Sequence, residues 1–341
     1  MKNRSILIAG YGSIGKKYVE ILSKKNIQLI VFDPKKFKSK NKKIIFLNDY
    51  KTLIKEIKKR KVRIAIISSL ANTHYKNFSL FSKIGINKIL IEKPVTNNLC
   101  EYMKIIKYSK NKKLSVGTHF KWSVLKLNEI IKKIEDKNNL GKPLQFNTQG
   151  GANCLATGGI HWIDFFINHF KIYDEKIEIF SNLSLDKINP RGKDFYNIGG
   201  SILLKHKTKG SAIFTYNNQS RLAPLQTILY TSHMLKFDIL GNYKIYRTNK
   251  NLDNLKITRY GVPKIIRSGN FLNKKVNSIN LIIDNLLHKN KPLVPLTKSI
   301  KTFKIFVGVI ISNRKEKLIN YKAIDQIAKK EKFYNKNLKF T

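Results

Sequence analysis

Residues 10–15 read Gly-Tyr-Gly-Ser-Ile-Gly, and what flanks them limits the fold more than any other feature of the chain. Before them runs Ser5-Ile6-Leu7-Ile8-Ala9, a short apolar segment of the kind a buried parallel strand requires. After them, residues 16–22 contain no Gly or Pro and space their apolar side chains as an amphipathic helix does. A second apolar run, Leu29-Ile30-Val31-Phe32, ends at Asp33, 23 residues beyond Gly10. The six-residue pattern alone is a weak signal; strand, glycine turn, helix and a following acid together are a strong one. Gly10 permits the tight turn, Gly12 lets the backbone approach a pyrophosphate, and Gly15 lets the helix pack close on the strand. Tyr11, Ser13 and Ile14 complete the turn, and free N–H groups at the helix start meet the anion. The competing reading is an ordinary βαβ turn with an incidental Asp, and the completeness of the context favours a dinucleotide over it.

Asp33 also bears on which dinucleotide. A carboxylate there accepts bonds from ribose hydroxyls and repels a 2′-phosphate, which favours NAD over NADP. Lys35 and Lys36 follow Pro34 and offset that repulsion in part, so NADP stays open.

Beyond Asp33 the alternation continues. Strand-like runs at 44–47, 63–68, 88–91 and 114–116 are separated by helical patterns at 50–59, 73–84 and 97–110. That rhythm predicts a doubly wound parallel sheet of the Rossmann type, with ligands beyond the C-terminal ends of its strands. Near residue 143 the rhythm changes: runs at 143–149, 176–181, 199–205, 211–216, 225–230 and 235–240 follow one another with one helix, 160–170, near the beginning. The fold class expected is therefore α/β, a parallel Rossmann sheet over residues 1–122 followed by an α+β domain over 123–341 with a largely antiparallel sheet. A long helix is expected from residue 296 or 298 to 314. A chain of 341 residues suffices for two such cores.

The formal charge of +46 raises nucleic acid or an anionic membrane as partners. The lysines are spread along the whole chain among abundant Asn and Ile, whose codons are A/T-rich, so genomic bias accounts for the excess. Specific nucleic-acid binding is not expected, while diffuse positive charge still attracts anionic small molecules. No apolar stretch approaches the roughly 18 residues of a membrane span, and none before Ser5 reads as a signal peptide, so no membrane partner is expected. The two cysteines, Cys100 and Cys154, fit a reducing cytoplasm and are expected to be small buried or half-buried residues. No acid–His cluster has metal-ligand spacing, and no metal site is expected.

Taken in order, the glycine turn, Asp33, Ser68-Ser69-Leu70-Ala71-Asn72-Thr73-His74, Glu92-Lys93-Pro94 and Gly158-Gly159-Ile160-His161-Trp162-Ile163-Asp164 resemble the Gfo/Idh/MocA oxidoreductases, which include glucose-fructose oxidoreductase and inositol dehydrogenase. The resemblance covers nearly the whole chain, including Lys291-Pro292-Leu293-Val294 ahead of the last long helix. It implies NAD(P)-dependent hydride transfer to or from a hydroxyl-bearing sugar, sugar acid or nucleotide sugar, and a homo-oligomer formed through the C-terminal sheet. Lys93, by default one of many solvated lysines, becomes the family's signature lysine, donating to the substrate hydroxyl and the cofactor ribose. Its bond to Pro94 is expected to be cis. His161, by default a packed or solvated imidazole, becomes the acid–base residue, a task its ordinary pKa suits. The two can serve one reaction only if both face the nicotinamide. Ser68, Asn72, His74 and Glu92 fall on the cofactor side; Glu92 otherwise orients its segment, and His74 otherwise caps or packs. Lys121 stands where the family has an Arg, and His119 where it has an Asn, with simple hinge residues as the alternative. Lys121, Thr157 and Asp164 are the substrate-side candidates, Asp164 having a structural role as its alternative. Thr157 departs from the pattern, since many members carry Asp four residues before the His. A Thr holds no charge, which admits a substrate bringing its own carboxylate, or a non-catalytic NAD-binding sensor or regulator.

Overall fold

The computed structural model describes residues 5–25, 27–151, 154–186, 197–217, 219–248, 261–272 and 276–330. The chain divides into two compact units. The first holds the chain up to Val124 together with Asn277–Phe303, and the second holds Leu125–Val276 with Lys304–Ala328.

In the first unit, strands and helices alternate as β1 (Ser5–Ala9), α1 (Ser13–Ser23), β2 (Gln28–Phe32), β3 (Ile44–Leu47), α2 (Tyr50–Lys59), β4 (Ile64–Ile67), α3 (Ala71–Lys83), β5 (Lys88–Ile91), α4 (Leu99–Asn111), β6 (Ser115–Thr118) and the short α5 (Lys121–Val124). All six strands run parallel in the order β3-β2-β1-β4-β5-β6. β1 and β4 are buried along their whole length, which is why they read as unbroken apolar runs. The strand order reverses direction between β1 and β4, the place where sheets of this kind take ligands beyond their strand ends. Asp49 caps α2 by accepting from the Thr52 N–H at 2.7 Å, and Asn98 caps α4 by accepting from the Cys100 N–H at 2.7 Å. Gly12 begins α1 with no side-chain cap at all.

In the second unit come α6 (Leu127–Lys137), β7 (Gln145–Gly151), a π-helical turn at Leu155–Gly159 running into α7 (Ile160–His169), and then β8 (Ile177–Asp186), β9 (Asn197–His206), β10 (Gly210–Asn217), β11 (Leu225–Leu229), β12 (His233–Asp238), β13 (Asn242–Thr248) and β14 (Pro263–Asn270). α8 (Ser278–His288) returns to the first unit, and α9 (Leu296–Lys315) is divided between the units at Phe303. β15 (Ile319–Asn320) and α10 (Ile324–Lys330) follow. The strands form one sheet in the order β14-β13-β12-β11-β7-β10-β9-β8-β15. Its pairs are antiparallel except β7 with β10. One face carries Phe146, Phe214 and Phe237; Phe146 packs on Phe214, and Phe146 and Phe237 pack with Trp162 and Phe165 of α7, at centroid separations of 5.3–6.2 Å.

The structure adds to the sequence reading in several places. α6, α8, β13 and β14 were not anticipated. The chain leaves the first unit after Val124 and returns to it at Asn277. That return is tight: the Thr118 N–H donates to the Val294 carbonyl at 3.0 Å, and a Cβ on Gly117 would meet the Pro292 Cβ at 2.6 Å. Cys154 is buried as expected, whereas Cys100 in the first turn of α4 is exposed. Among the described residues, no helix is long and apolar enough to cross a membrane, and no three His, Cys, Asp or Glu side chains gather as metal ligands.

Candidate functional site

The glycine turn joins β1 to α1 where the strand order reverses, and each glycine meets a different constraint. Gly10 has φ of +104°, and a Cβ there would lie 2.4 Å from the Ser69 nitrogen. A Cβ on Gly15 would strike the Gly10 carbonyl oxygen at 2.0 Å. A Cβ on Gly12 would meet no protein atom within 4 Å. Internal packing therefore demands Gly10 and Gly15, whereas Gly12 faces open space, as close approach by a ligand requires. The uncapped first turn of α1 supplies N–H groups and the positive end of the helix dipole at the same place.

Asp33 ends β2 beside this turn. Its Oδ2 accepts the Tyr11 N–H at 2.8 Å and its Oδ1 accepts the Lys35 N–H at 3.0 Å. Each carboxylate oxygen keeps acceptor capacity for a ribose hydroxyl. The Tyr11 ring packs edge-on against Phe37 and Phe46 at 4.9 Å, which fixes the turn at its outer side. These residues fit an NAD pyrophosphate and ribose.

Ser68 follows β4 and donates from Oγ to the Gly10 carbonyl at 2.9 Å, so it braces the glycine turn from beneath. Asn72 is exposed in the first turn of α3. His74 is 1% exposed, and its ring nitrogens lie 2.8 Å from the Ser69 carbonyl and 3.1 Å from the Val95 carbonyl. Burial pushes its pKa down against the pull of those carbonyls and of Glu92. Both ring nitrogens are thus engaged within the protein, tying α3 to the turn after β5.

Glu92, Lys93 and Pro94 follow β5, and the Lys93–Pro94 bond is cis. Lys93 is half-buried, while Glu92 is 5% exposed. Glu92 Oε1 accepts from the Tyr18 hydroxyl at 2.5 Å and lies 3.2 Å from His119 Nδ1. His119 Nε2 lies 3.1 Å from the Ser278 hydroxyl. Burial alone would raise the Glu92 pKa; the bond and charge of His119, the charge of Lys93 and the Tyr18 bond overcome it and hold the carboxyl below its usual range. The Tyr18 phenol is pushed well up by burial and then by Glu92, and stays protonated. Tyr18 and Ser278 escaped the sequence reading. Tyr18 sat in the apolar stripe of α1, where only its hydroxyl hinted at a partner, and Ser278 carried no signal. The ammonium of Lys121 rests over the buried Trp122 indole at 4.1 Å, and burial lowers its pKa.

In the second unit, Thr157, His161 and Asp164 lie within one continuous stretch of the π-helical turn and α7. The turn closes on the Cys154 carbonyl, which accepts from the N–H groups of Thr157, Gly158 and Gly159 at 3.0, 2.8 and 3.2 Å. Thr157 Oγ1 donates to the same oxygen at 3.2 Å. Such π-turns concentrate at functional sites. His161 is half-buried at the start of α7, and Asp164, three residues on, is 3% exposed. Spacing of three puts both on one side of the helix.

Residues 4–120 match the model of the Gfo/Idh/MocA family, described as an oxidoreductase family with an NAD-binding Rossmann fold. No curated protein sequence matches the chain. Among solved structures, an NAD-binding protein from Listeria innocua is similar, with a TM-score of 0.71 and 14% identity over 94% of this chain and 97% of that one. An oxidoreductase from Agrobacterium radiobacter in complex with NAD+, L-tartaric acid and magnesium has a TM-score of 0.69 and 13% identity, covering 95% and 100%. A UDP-N-acetylglucosamine 3-dehydrogenase from Acidithiobacillus ferrooxidans has a TM-score of 0.65 and 14% identity, covering 92% and 98%.

Proposed function

The segment from residue 4 to residue 120 belongs to the Gfo/Idh/MocA family of NAD-binding oxidoreductases, and from that premise we propose that the chain transfers hydride between NAD and a hydroxyl-bearing sugar, sugar acid or nucleotide sugar. The observation that carries this reading is the glycine turn, open at Gly12, with Lys93 at the same C-terminal edge of the parallel sheet. Bound NAD supplies the hydride acceptor. Lys93 donates a hydrogen bond to the substrate hydroxyl oxygen and stabilises negative charge that develops there. His161 takes the hydroxyl proton as the C–H electron pair leaves the same carbon, so the alcohol becomes a carbonyl. Lys121 adds a positive charge for an anionic substrate, and the net charge of +46 favours such a substrate at long range. The substrate class draws support from the similar structures, one a UDP-N-acetylglucosamine 3-dehydrogenase and one in complex with L-tartaric acid. The open face of the nine-stranded sheet carries Phe180, Leu203 and Ile213 side by side, and we assign it to self-association.

The test is a screen of NAD reduction against UDP-sugars and sugar acids, repeated with His161→Ala. Turnover should fall by roughly 10²–10⁴ in that variant, the usual range for a positioned acid–base group. Full turnover in the His161→Ala protein on a true substrate would overturn the assignment. Thr157 favours a second reading, an NAD-binding sensor without catalysis, because its hydroxyl is spent on the turn carbonyl and supplies no acid. Gain of alcohol oxidation in Thr157→Asp would mark a dehydrogenase site that lacks only its carboxylate.

A further inference from the structure

Helices α3 and α4 are neighbours on one face of the parallel sheet, since they cross over from β4 to β5 and from β5 to β6. Helices so placed ordinarily close their seam with apolar side chains. Here each presents a mixed stripe at i, i+3, i+4, i+7 spacing: residues 75, 78, 79 and 82 of α3, and residues 104, 107, 108 and 111 of α4. Between the stripes lies a cavity of about 330 Å³. Tyr75, Phe78 and Tyr108 form its aromatic part; Phe78 is 1% exposed and meets the Tyr108 ring edge-on at 6.0 Å. Lys83, Lys104 and Lys107 line the same cavity, and Lys104 Nζ stands 6.0 Å over the Tyr75 ring. Among the described residues no carboxylate lines it. α3 contains no acid, and α4 contains only Glu101, one turn ahead of Lys104, which feels that charge through space.

We propose that this cavity is a second ligand site, for a small aromatic phosphate: one ring system held by Tyr75, Phe78 and Tyr108, its phosphate answered by Lys83, Lys104 and Lys107. Ammonium groups offer donors and no acceptor, so anionic oxygens are their complement. Three positive charges match a phosphate monoester, close to doubly charged at neutral pH, better than a carboxylate. The volume lies at the small end of the roughly 300–1,000 Å³ range of small-molecule sites, enough for one ring system and its phosphate but not for a whole dinucleotide. The bland alternative is a solvated surface. With 67 Lys and Arg against 21 Asp and Glu, a lysine without an ion pair is common in this chain, and Lys83 in the last turn of α3 also answers the helix dipole. Neither fact explains three ammonium groups converging on a hollow with aromatic walls, at a seam that packing would otherwise fill. The site is also separate from the cofactor turn. Each helix of a βαβ unit runs back antiparallel to its strands, so both stripes lie along the flank of the sheet and not at the strand ends that carry the glycines.

Equilibrium dialysis of 1-naphthyl phosphate against the full chain, with excess NAD+ present to fill the cofactor turn, measures this site without any turnover. One probe should bind per chain. The double variant K104A/K107A should weaken it at least about tenfold, the worth of one charge-assisted hydrogen bond. Tyr108→Ala should weaken it as well, through loss of an aromatic wall. The control K110A/K112A removes two exposed lysines at the same end of α4 that do not line the cavity, and should leave binding within about twofold of wild type. Unchanged binding in K104A/K107A overturns the proposal, and so does equal weakening in the control pair, which would reduce the effect to net charge. Displacement of the probe by inorganic phosphate or by 1-naphthol at equal concentration overturns the assignment to an aromatic phosphate, because one half of the ligand would then suffice. NADH affinity and melting temperature serve as folding controls. Lys104 and Lys107 are exposed, so the lysine pairs decide the matter even if Tyr108→Ala does not fold.

Discussion

The backbone N–H of Tyr11 donates to Asp33 Oδ2 at 2.8 Å, which locks the middle of the glycine turn to the end of the second strand. One carboxylate thus shapes the pyrophosphate turn and presents acceptors to the ribose. Asp33→Ala should weaken NADH binding by roughly 10–100-fold, the worth of charge-assisted hydrogen bonds. NADPH, whose 2′-phosphate the carboxylate repels, should lose less or gain through Lys35 and Lys36. Fluorescence titration of both cofactors decides it, and equal losses for the two would refute a selective role for Asp33.

Gly10 and Gly12 should separate folding from binding. Gly12 has φ of −78°, which an alanine adopts freely, and its Cβ would enter open space. Gly12→Ala should therefore leave stability within about 1 kcal/mol of wild type while weakening NADH binding at least about tenfold. Gly10→Ala forces a left-handed backbone and a collision with Ser69, and should cost about 1–3 kcal/mol or more in urea unfolding. Equal behaviour of the two variants in both assays would contradict the division of roles.

His74 predicts a pH dependence whose sign follows from its lowered pKa. Burial is the main cause, so the unfolded chain binds the proton more readily than the folded one. The stabilising contribution is complete above the ordinary imidazole value of 6.5 and is lost as pH falls from there towards the lower folded value. Urea unfolding followed between pH 8 and pH 5 should show stability declining, with a slope of up to about one proton from this residue. In His74→Asn that part of the slope should vanish. A slope identical to wild type would show that the imidazole is not held neutral.

Phe180, Leu203 and Ile213 stand opposite one another on β8, β9 and β10, with exposures of 42%, 37% and 38%. The expected occupant of this face is a second copy of the chain, since a flat apolar row on a sheet suits a self-complementary contact. Wild type should elute as an oligomer in light-scattering chromatography, and Ile213→Lys should shift it towards monomer without lowering its melting temperature by more than a few degrees. A monomeric wild type would end this assignment.

The parallel sheet, the glycine turn and Asp33 were legible because their signals are local: unbroken apolar strands, helical spacing and glycines lie within one βαβ segment. Helix α6 was equally readable, since Leu127, Ile131 and Ile134 recur at helical spacing, but it lay in the interval between two sheet patterns. β13 was hidden for a physical reason, because Ile245 is its one buried residue and a strand with so little burial shows no apolar alternation. The candidate positions Lys93 and His161 came from motif and resemblance, as neither residue type announces itself among so many polar neighbours. The Tyr18–Glu92–His119–Ser278 network could come only from the tertiary structure. Its members are contributed by α1, the ends of β5 and β6, and α8, and no periodicity or spacing links residue 18 to residue 278. Parallel strand order brings the first three to one edge of the sheet, and the return of the chain at Asn277 supplies the fourth. Local sequence sets which segments become strand or helix because those choices depend on neighbours within a few residues. Which buried charge finds which partner depends on the closing of the chain, and that was decided by packing.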